Sequence, residues 1–314
     1  MAARGKVIAL HLAVLAVLFG LHFVLPAYHH TNFARIMVLA VFAMGYNIAF
    51  GYTGLLSLGH ALFFGFGMYG AGLAVYLVEW PAAPALWTGL VAGGVAAGAV
   101  GLLALRTAGV SFMIVTLMFA QAGYLTVLYF GAWTGGDEGF VVERLGRNMF
   151  GYDLSMENPR YIAAFLLFSA GLLIKLALVQ SPLGRVMVAM RENEARSRML
   201  GYNPFAVKWF ALVVSGLYAG AAGAAYAVLF GYAGASFTTI QYSILPMLWV
   251  LMGGAGVVLG PLVGVVVMFY LIDIASTYTS AHLMVVGVAL LVLVLFAPKG
   301  LLGFVRARWL SWLP

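Results

Sequence analysis

Residues 209–230, WFALVVSGLYAGAAGAAYAVLF, decide the class of fold. The stretch contains no charged residue, and its length matches the roughly 20 apolar residues that an α-helix needs to cross a bilayer. Barrel strands would instead show segments of about ten residues in which apolar and polar side chains alternate. This continuous apolar run therefore predicts a transmembrane helix, and its small residues predict close packing against other helices.

The composition of the whole chain agrees with a membrane protein. Of 314 residues, 64% are hydrophobic and only 8% are charged, whereas a soluble domain carries about 25% charged residues. Because this number of charges is too small to cover the surface of a globule, the outer surface has to face lipid. The formal net charge of +7 fits positively charged cytoplasmic loops, and we expect no nucleic-acid partner.

Ten apolar segments predict an all-α polytopic transmembrane bundle of about ten helices, several of them short or interrupted by glycine. The first segment has the basic flank of a signal sequence, but it is long and no small-residue cleavage pattern follows, so we expect an uncleaved helix. One transmembrane domain would cover residues 1–314. The segments lie at residues 7–25, 36–50, 60–78, 86–105, 111–130, 161–179, 209–230, 243–258, 262–274 and 282–296.

Two hydrophilic segments of opposite charge predict the orientation of the bundle. Residues 131–160 carry five acidic and three basic side chains, whereas residues 181–208 carry two acidic and five basic ones. Short cytoplasmic loops are enriched in Lys and Arg, so we expect the first segment in the periplasm and the second in the cytoplasm. With ten helices, both termini then lie inside. Arg35 falls on the outer side and is an exception; the basic residues that fall inside are Arg4, Lys6, Arg106, Lys299, Arg306 and Arg308.

The motifs of catalysis are absent from the sequence. There is no G-x-x-x-x-G-K-[ST] phosphate loop, no H-E-x-x-H pair and no cysteine, so we expect neither a nucleotide site, nor a metal, nor another cofactor. Ser57 and His60 lie three residues apart and could share one helix face. A catalytic dyad would also need an oxyanion hole and an orienting partner, so we do not expect an enzyme.

Two charged residues lie within predicted spans. Asp273 sits near the outer end of the ninth span, where a carboxylate either lines a polar pathway or is hydrated at the interface; we favour the second alternative. Lys175 is expected to extend its amine towards the inner surface. Such a small number of charges argues against a proton-coupled carrier, which needs a relay of titrating groups.

Two glycine-rich stretches are unusual for helices that face lipid. Residues 51–72 contain seven glycines, and residues 253–264 place Gly256, Gly260 and Gly264 at a spacing of four. Close helix packing explains such spacing. An irregular backbone that lines a pathway explains it equally well, because such backbone survives at membrane depth only where protein or water covers it.

The basic segment carries the most informative pattern. Residues 181–203, SPLGRVMVAMRENEARSRMLGYN, predict a short helix of alternating charge that ends at Gly201. The pattern S-P-L-G-R-x(5)-R-E-N-E, followed by Gly201 seven residues after Glu194, resembles the coupling segment of the LivM-type permease subunits of branched-chain amino acid ABC transporters. The family usually has two alanines where Arg196 and Ser197 stand here.

Two further stretches resemble the same family. Residues 47–61, NIAFGYTGLLSLGHA, are similar to its N-x-x-x-G-x-x-G-x-x-S-L-G-H-A signature, and residues 253–261, GGAGVVLGP, are similar to its G-G-x-G-x(3)-G-P element. The three stretches occur in the family's order, and the resemblance covers roughly residues 30–303.

The resemblance implies a permease subunit in a bacterial inner membrane that forms half of a translocation pathway for branched-chain amino acids. Its implied partners are a second homologous permease, two ABC ATPase subunits, a periplasmic substrate-binding protein and membrane lipid. The implied ATPase-coupling residues are Arg191, Glu192, Glu194 and Gly201. The implied pathway residues are Asn47, Gly54, Ser57, His60, Gly256 and Gly260; Asp273 is a further candidate only because its carboxylate lies within a predicted span.

Two alternative functions stay open at this stage. Urea-transporter relatives share the signature around Ser57 and His60, so the substrate could be urea, an amide or another amino acid. A stand-alone secondary transporter with inverted repeats is the other alternative, and it would transport without any ATPase.

Overall fold

The computed structural model of this protein describes residues 2–297, 299–309 and 312. Fourteen α-helices account for most of that part of the chain. They are α1 (Ala2–Val24), α2 (Ala27–Asn47), α3 (His60–Tyr76), α4 (Ala82–Ala104), α5 (Val110–Tyr129), α6 (Gly131–Thr134), α7 (Glu157–Gln180), α8 (Pro182–Glu192), α9 (Glu194–Met199), α10 (Pro204–Phe230), α11 (Ile240–Gly253), α12 (Gly260–Tyr278), α13 (His282–Phe296) and α14 (Leu301–Arg308).

The remaining regular structure is short. A π-helical turn, Ile48–Tyr52, continues α2, and 3-10 turns lie at Leu145–Arg147 and Ala235–Thr238. Two antiparallel pairs of strands complete the described fold: β1 (Phe140–Val141) with β4 (Tyr232–Ala233), and β2 (Asn148–Met149) with β3 (Tyr152–Asp153).

Seven of the described helices are long and apolar enough to cross a bilayer. Three more, α3, α11 and α13, coincide with predicted spans but contain only 17, 14 and 15 residues. All ten predicted segments are therefore helical, and the predicted polytopic bundle with short glycine-rich members is confirmed. The seven long spans are Gly5–Val24, Ala27–Tyr52, Ala82–Ala104, Val110–Tyr129, Glu157–Gln180, Pro204–Phe230 and Gly260–Tyr278.

Helix α2 forms the axis of the bundle. Its span is 83% buried, against 17% for α1 and for α5, and it contacts α7, α10, α11 and α12. The sequence predicted only residues 36–50, because the polar residues that begin α2 lower its apparent hydropathy. Their partners lie elsewhere in the chain: Tyr28 binds Asp273, and His30 stacks on Tyr161 with ring centroids 4.4 Å apart.

Helices α3, α4 and α10 pack through glycine at their crossing points. A methyl group on Gly93 of α4 would lie 2.5 Å from the Cα of Gly220 on α10, far closer than two carbon atoms approach. Gly67 of α3 meets the backbone of Gly220 in the same way. Association of helices in lipid depends on packing of this kind because apolar surface gains nothing by leaving lipid.

The two hydrophilic segments lie at opposite ends of α10. Strand β1 pairs with β4, which follows the last turn of α10. At the other end, Lys208 in the first turns of α10 donates to the carboxylate of Glu194 at 2.5 Å. Since α10 contains 27 residues and therefore extends about 40 Å, residues 131–156 and residues 181–203 mark opposite ends of the bundle. Following the predicted orientation, we call these the outer end and the inner end.

An ion pair and two hydrogen bonds hold the outer segment together. Arg144 Nε lies 2.7 Å from a carboxylate oxygen of Asp153. Hydrogen bonds from Ser155 and from Arg144 lower the pKa of Asp153 to about 2, so this carboxylate stays ionised across the physiological range. The strand pair β2–β3 is thus fixed by charge as well as by backbone bonds.

The predicted orientation can be tested by labelling, since the chain contains no cysteine. Glu138 and Asn193 are exposed at opposite ends of the bundle. In intact cells an impermeant maleimide should label Glu138→Cys from outside, whereas Asn193→Cys should react only after the membrane is opened. The reverse pattern would contradict both the orientation and a cytoplasmic role for residues 181–203.

Candidate functional site

The first interruption of regular helix follows α2. After the turn Ile48–Tyr52 the chain continues without helix from Gly54 to the start of α3 at His60. Side chains from other helices hold this stretch: the hydroxyl of Thr116 on α5 accepts from the amide of Leu58 at 3.1 Å, and that of Ser243 on α11 accepts from the amide of Ala61 at 3.0 Å. Covered by protein in this way, the irregular backbone can exist at membrane depth.

The second interruption separates α11 from α12. The predicted span 243–258 is too long, since α11 ends at Gly253 and residues 254–259 form a loop. The chain turns there because Gly254 and Gly256 have φ angles of +119° and +76°, which L side chains rarely adopt. Gly260 then begins α12, and its backbone contacts Gly253 and Gly254. Gly260 therefore serves close packing of the α11–α12 hairpin.

Asn47, the last residue of α2, joins the two interruptions. Its Nδ2 donates to the carbonyl of Val257 at 2.8 Å, and its Oδ1 accepts from the amide of Gly256 at 2.9 Å. Asn47 itself is completely buried. One amide group thus satisfies a donor and an acceptor of a loop 209 and 210 residues away, which fixes the loop against α2.

Lys175 supports the same loop from α7. The prediction that its amine reaches the inner surface is wrong, because Lys175 has no exposed surface. Its Nζ donates to the carbonyl of Val258 at 3.1 Å and lies 5.8 Å from the ring centroid of Tyr52. The amine turns inward because this loop offers a free carbonyl and an aromatic face within the bundle.

Arg191 connects the inner segment to both interruptions. Its Nη1 donates to the carbonyl of Gly51, and a methyl group on Gly256 would lie 3.2 Å from the same nitrogen. A methyl group on Gly54 would lie 3.3 Å from Cγ of Arg191. The side chain of Arg191, on α8, therefore lies between the two interruptions and contacts both.

The inner segment is two helices, α8 and α9, and the prediction of a single helix is wrong. Asn193 is extended (φ −157°, ψ 99°) and its Oδ1 accepts from the amide of Arg196 at 2.9 Å, so it ends α8 and caps α9. Ser181 caps α8 by accepting from the amide of Gly184 at 3.2 Å. Gly201, with φ +89°, follows the end of α9, as predicted.

Charged residues of the segment have partners within the chain. Glu194 lies 2.5 Å from Lys208 and 3.7 Å from Arg198, with 41% of its side chain exposed. Glu192 is exposed and has no hydrogen bond or ion pair among the described residues. Of the two positions that depart from the family pattern, Ser197 is buried and bonds the carbonyl of Asn193 at 3.0 Å, whereas Arg196 is exposed.

Sequence reasoning missed an apolar projection at the end of α9. Met199 and Leu200 are 86% and 71% exposed, at the inner end of the bundle beside the charged residues of α9. The sequence did contain a signal for this projection, because two large apolar side chains stand within an otherwise charged segment. Both side chains are therefore available for contact with another protein or with lipid.

Ser57 and His60 do not form a dyad. His60 is completely buried and its Nε2 lies 2.7 Å from the hydroxyl of Ser215 on α10. The hydroxyl of Ser57 accepts instead from the amide of Gly59 at 3.1 Å. The pair therefore fixes the start of α3 against α10 and carries no hydrolytic chemistry.

Asp273 lies apart from the other predicted pathway residues. It is near the outer end of α12, where the hydroxyl of Tyr28 lies 2.8 Å from both of its carboxylate oxygens. The hydrogen bond is exposed. Of the predicted set, the structure thus brings Asn47, Gly54 and Gly256 together with Arg191, places Ser57 and His60 beside them along the chain, and leaves Asp273 at the opposite end.

The sequence is similar to those of known transport proteins. A family model described as "Branched-chain amino acid transport system / permease component" matches residues 31–297. Two curated relatives are named high-affinity branched-chain amino acid transport system permease protein LivM. That of Escherichia coli K12 is 28% identical over 298 residues, and that of Salmonella typhimurium LT2 is 26% identical over 300; each alignment covers 87% of this chain and 69% of the relative. No solved structure gives a significant match.

Removal of the Asn47 amide should destabilise the bundle. Asn47→Ala leaves the Gly256 amide and the Val257 carbonyl buried without their partner, at a cost of about 2 kcal/mol. Asn32→Ala is the matched control, since Asn32 also lies buried on α2 but its Nδ2 has no partner among the described residues. In detergent, Asn47→Ala should melt several degrees below Asn32→Ala, and equal melting temperatures would contradict the bridging role.

Asp273 should be dispensable for transport. Its position at the outer end, with one exposed hydrogen bond from Tyr28, indicates an interfacial acid. Asp273→Asn and Asp273→Leu should both support substrate uptake within about two-fold of the parent when uptake is measured at equal amounts of protein in the membrane. A selective loss in Asp273→Leu would instead place this side chain on the pathway.

Proposed function

This chain belongs to the family of permease components of branched-chain amino acid transport systems, and we propose that it moves its substrate by coupling residues 181–203 to the two interrupted helices. The observation that carries the proposal is the position of Arg191. This residue of α8 donates to the carbonyl of Gly51 and lies against Gly256. A displacement of α8 would therefore reach both interruptions directly.

The energy for that displacement would come from separate subunits. The sequence has no phosphate-binding loop, so ATP hydrolysis is assigned to two ABC ATPase subunits on the cytoplasmic side. A second homologous permease would complete the pathway in the bacterial inner membrane. A periplasmic binding protein would deliver the substrate to residues 131–156, which form the longest described segment between transmembrane helices at the outer end.

Helices α8 and α9 would form the contact with an ATPase. Met199 and Leu200 project from the end of α9 and supply apolar area, as residues at the centre of protein interfaces do. Glu192 and Arg196 are exposed beside them. Glu194 stays in the proposed contact because part of its side chain is exposed, while its ion pair with Lys208 sets the angle between α9 and α10. The apolar projection formed by Met199 and Leu200 ends at Gly201.

An apolar cavity favours aliphatic amino acids over urea. It has a volume of about 370 Å³ and lies between α3, α4 and α5. Pockets of this size and character bind apolar groups, so an aliphatic side chain would fit there with the charged groups of the amino acid outside, whereas urea has no apolar part to place in it. Its lining includes Leu62, Phe66, Tyr69, Leu73, Val127 and Phe130.

Substitution of Arg191 should uncouple ATP hydrolysis from transport. Arg191→Gln loses the charged contact with Gly51, so in proteoliposomes that contain the whole importer, leucine uptake should fall about ten-fold while ATPase subunits stay bound and hydrolyse ATP. Arg185→Gln is the matched control because Arg185 is exposed on the same helix and bonds no described residue.

Equal uptake by the two variants would contradict the proposed route of coupling. Uptake by the purified chain alone, without any ATPase, would contradict the importer function itself and favour a secondary transporter.

A further inference from the structure

We propose that Arg35 and Arg160 form a binding site for the carboxylate of the transported amino acid at the outer end of the bundle. The inference rests on the proposed function and adds to it the point at which the substrate is first bound. The two arginines come from α2 and α7, and both guanidinium groups lie over the ring of Phe230, the last residue of α10. Their Cζ atoms are 5.2 and 5.8 Å from the ring centroid.

Neither arginine has an acidic partner within the described part of the chain. The ion pairs found there involve other residues, and Glu157, one turn before Arg160, forms none. Arg160 Nη2 donates to the carbonyl of Ser155, which does not neutralise its charge, and the Nε atoms of both arginines are buried without a hydrogen-bond partner. Two cations at one place without an acidic partner favour an anionic ligand, which would contact the Nη atoms of the two guanidinium groups.

The end of α10 does not explain these two cations. A helix C-terminus leaves free carbonyls that attract basic side chains, but Arg147 already fulfils this role. Its Nε and Nη2 donate to the carbonyls of Val228 and Leu229 at 2.6 and 2.5 Å. Arg35 and Arg160 are therefore additional positive charges.

The position of Arg35 makes a purely structural role costly. It lies eight residues beyond the start of α2, which corresponds to about 12 Å along the helix. A charged side chain at such depth in a membrane is expensive unless it faces a polar cavity or a partner. Arg35 is partly accessible, so water and a small solute can reach it.

A row of aromatic rings leads inward from the two arginines. Phe230 is followed by Tyr226 at 4.9 Å between centroids, then Phe237 at 4.8 Å, Tyr242 at 5.0 Å and Phe64 at 5.1 Å. All but Phe64 are partly accessible. An amino acid whose carboxylate is bound by the guanidinium groups would place an aliphatic side chain against the faces of these rings, which provide apolar contact.

Charge-selective labelling tests the site directly. In the assembled importer, Phe230→Cys is treated with a negatively charged and with a positively charged methanethiosulfonate reagent, and Tyr129→Cys, 81% exposed near the outer end of α5, gives the reference ratio. Two nearby positive charges should favour the anionic reagent about ten-fold relative to the reference. Excess leucine should slow that reaction, whereas leucinol, which lacks the carboxylate, should not.

Three labelling results would overturn the proposal. The first is that the ratio of anionic to cationic reaction rates at Phe230→Cys equals the ratio at Tyr129→Cys. The others are that leucine and leucinol protect Phe230→Cys equally, and that the unliganded binding protein protects it while leucine does not. The last result would assign the arginines to a protein contact.

Transport by substituted importers provides the second measurement. With saturating loaded binding protein, Arg35→Gln should lower leucine uptake per ATP hydrolysed about ten-fold, and Arg35→Lys should recover most of it. Glu79→Gln, which removes an exposed charge between α3 and α4, outside residues 131–156, should match the parent. Parent-like uptake by Arg35→Gln would overturn the carboxylate site while leaving the importer function intact. If even the parent shows no ATP-driven uptake, it is the proposed function that fails.

Discussion

Every backbone donor and acceptor inside a bilayer needs a partner within the protein. Two breaks in the helices of this chain leave backbone groups that need partners from elsewhere in the fold. Residues 53–59 and 254–259 lie largely within the bundle, and only some of their amides, such as those of Gly54 and Gly254, bond a preceding helical carbonyl. Polar side chains from distant helices satisfy others. Asn47, Lys175 and Arg191 contact the carbonyls or amides of these breaks, and without them the same backbone would be costly to bury.

The three side chains that contact the breaks come from different helices. Asn47 belongs to α2, the most buried of the long spans, so it fixes the loop 254–259 to the centre of the bundle. Lys175 and Arg191 belong to α7 and α8, which are consecutive and join at Ser181. In the proposed function, a force on α8 and α9 would act on the breaks through Arg191 and Lys175, while Asn47 holds the loop 254–259 to α2.

The sequence predicts those features that depend on local properties, and it misses those that depend on distant partners. The apolar runs predict ten of the fourteen described helices because hydropathy is read within one segment. The start of α2 is missed because Tyr28 and His30 are polar, and only contacts with Asp273 and Tyr161 make them compatible with a helix there. Lys175 was expected at the surface for the same reason, since its partner Val258 is 83 residues away. Arg35, treated as an exception to the charge rule, turns out to share the ring of Phe230 with Arg160.

The central claim, that the inner segment acts on both breaks at once, can be tested by hydrogen exchange in the assembled importer. Exchange of backbone amides in residues 51–59 and 254–259 is compared between the resting importer and one in which its ATPase subunits hold trapped nucleotide. We expect protection to change in both stretches together, and in neither when Arg191 is replaced by glutamine. A change confined to one stretch, or one that persists in Arg191→Gln, would contradict the account.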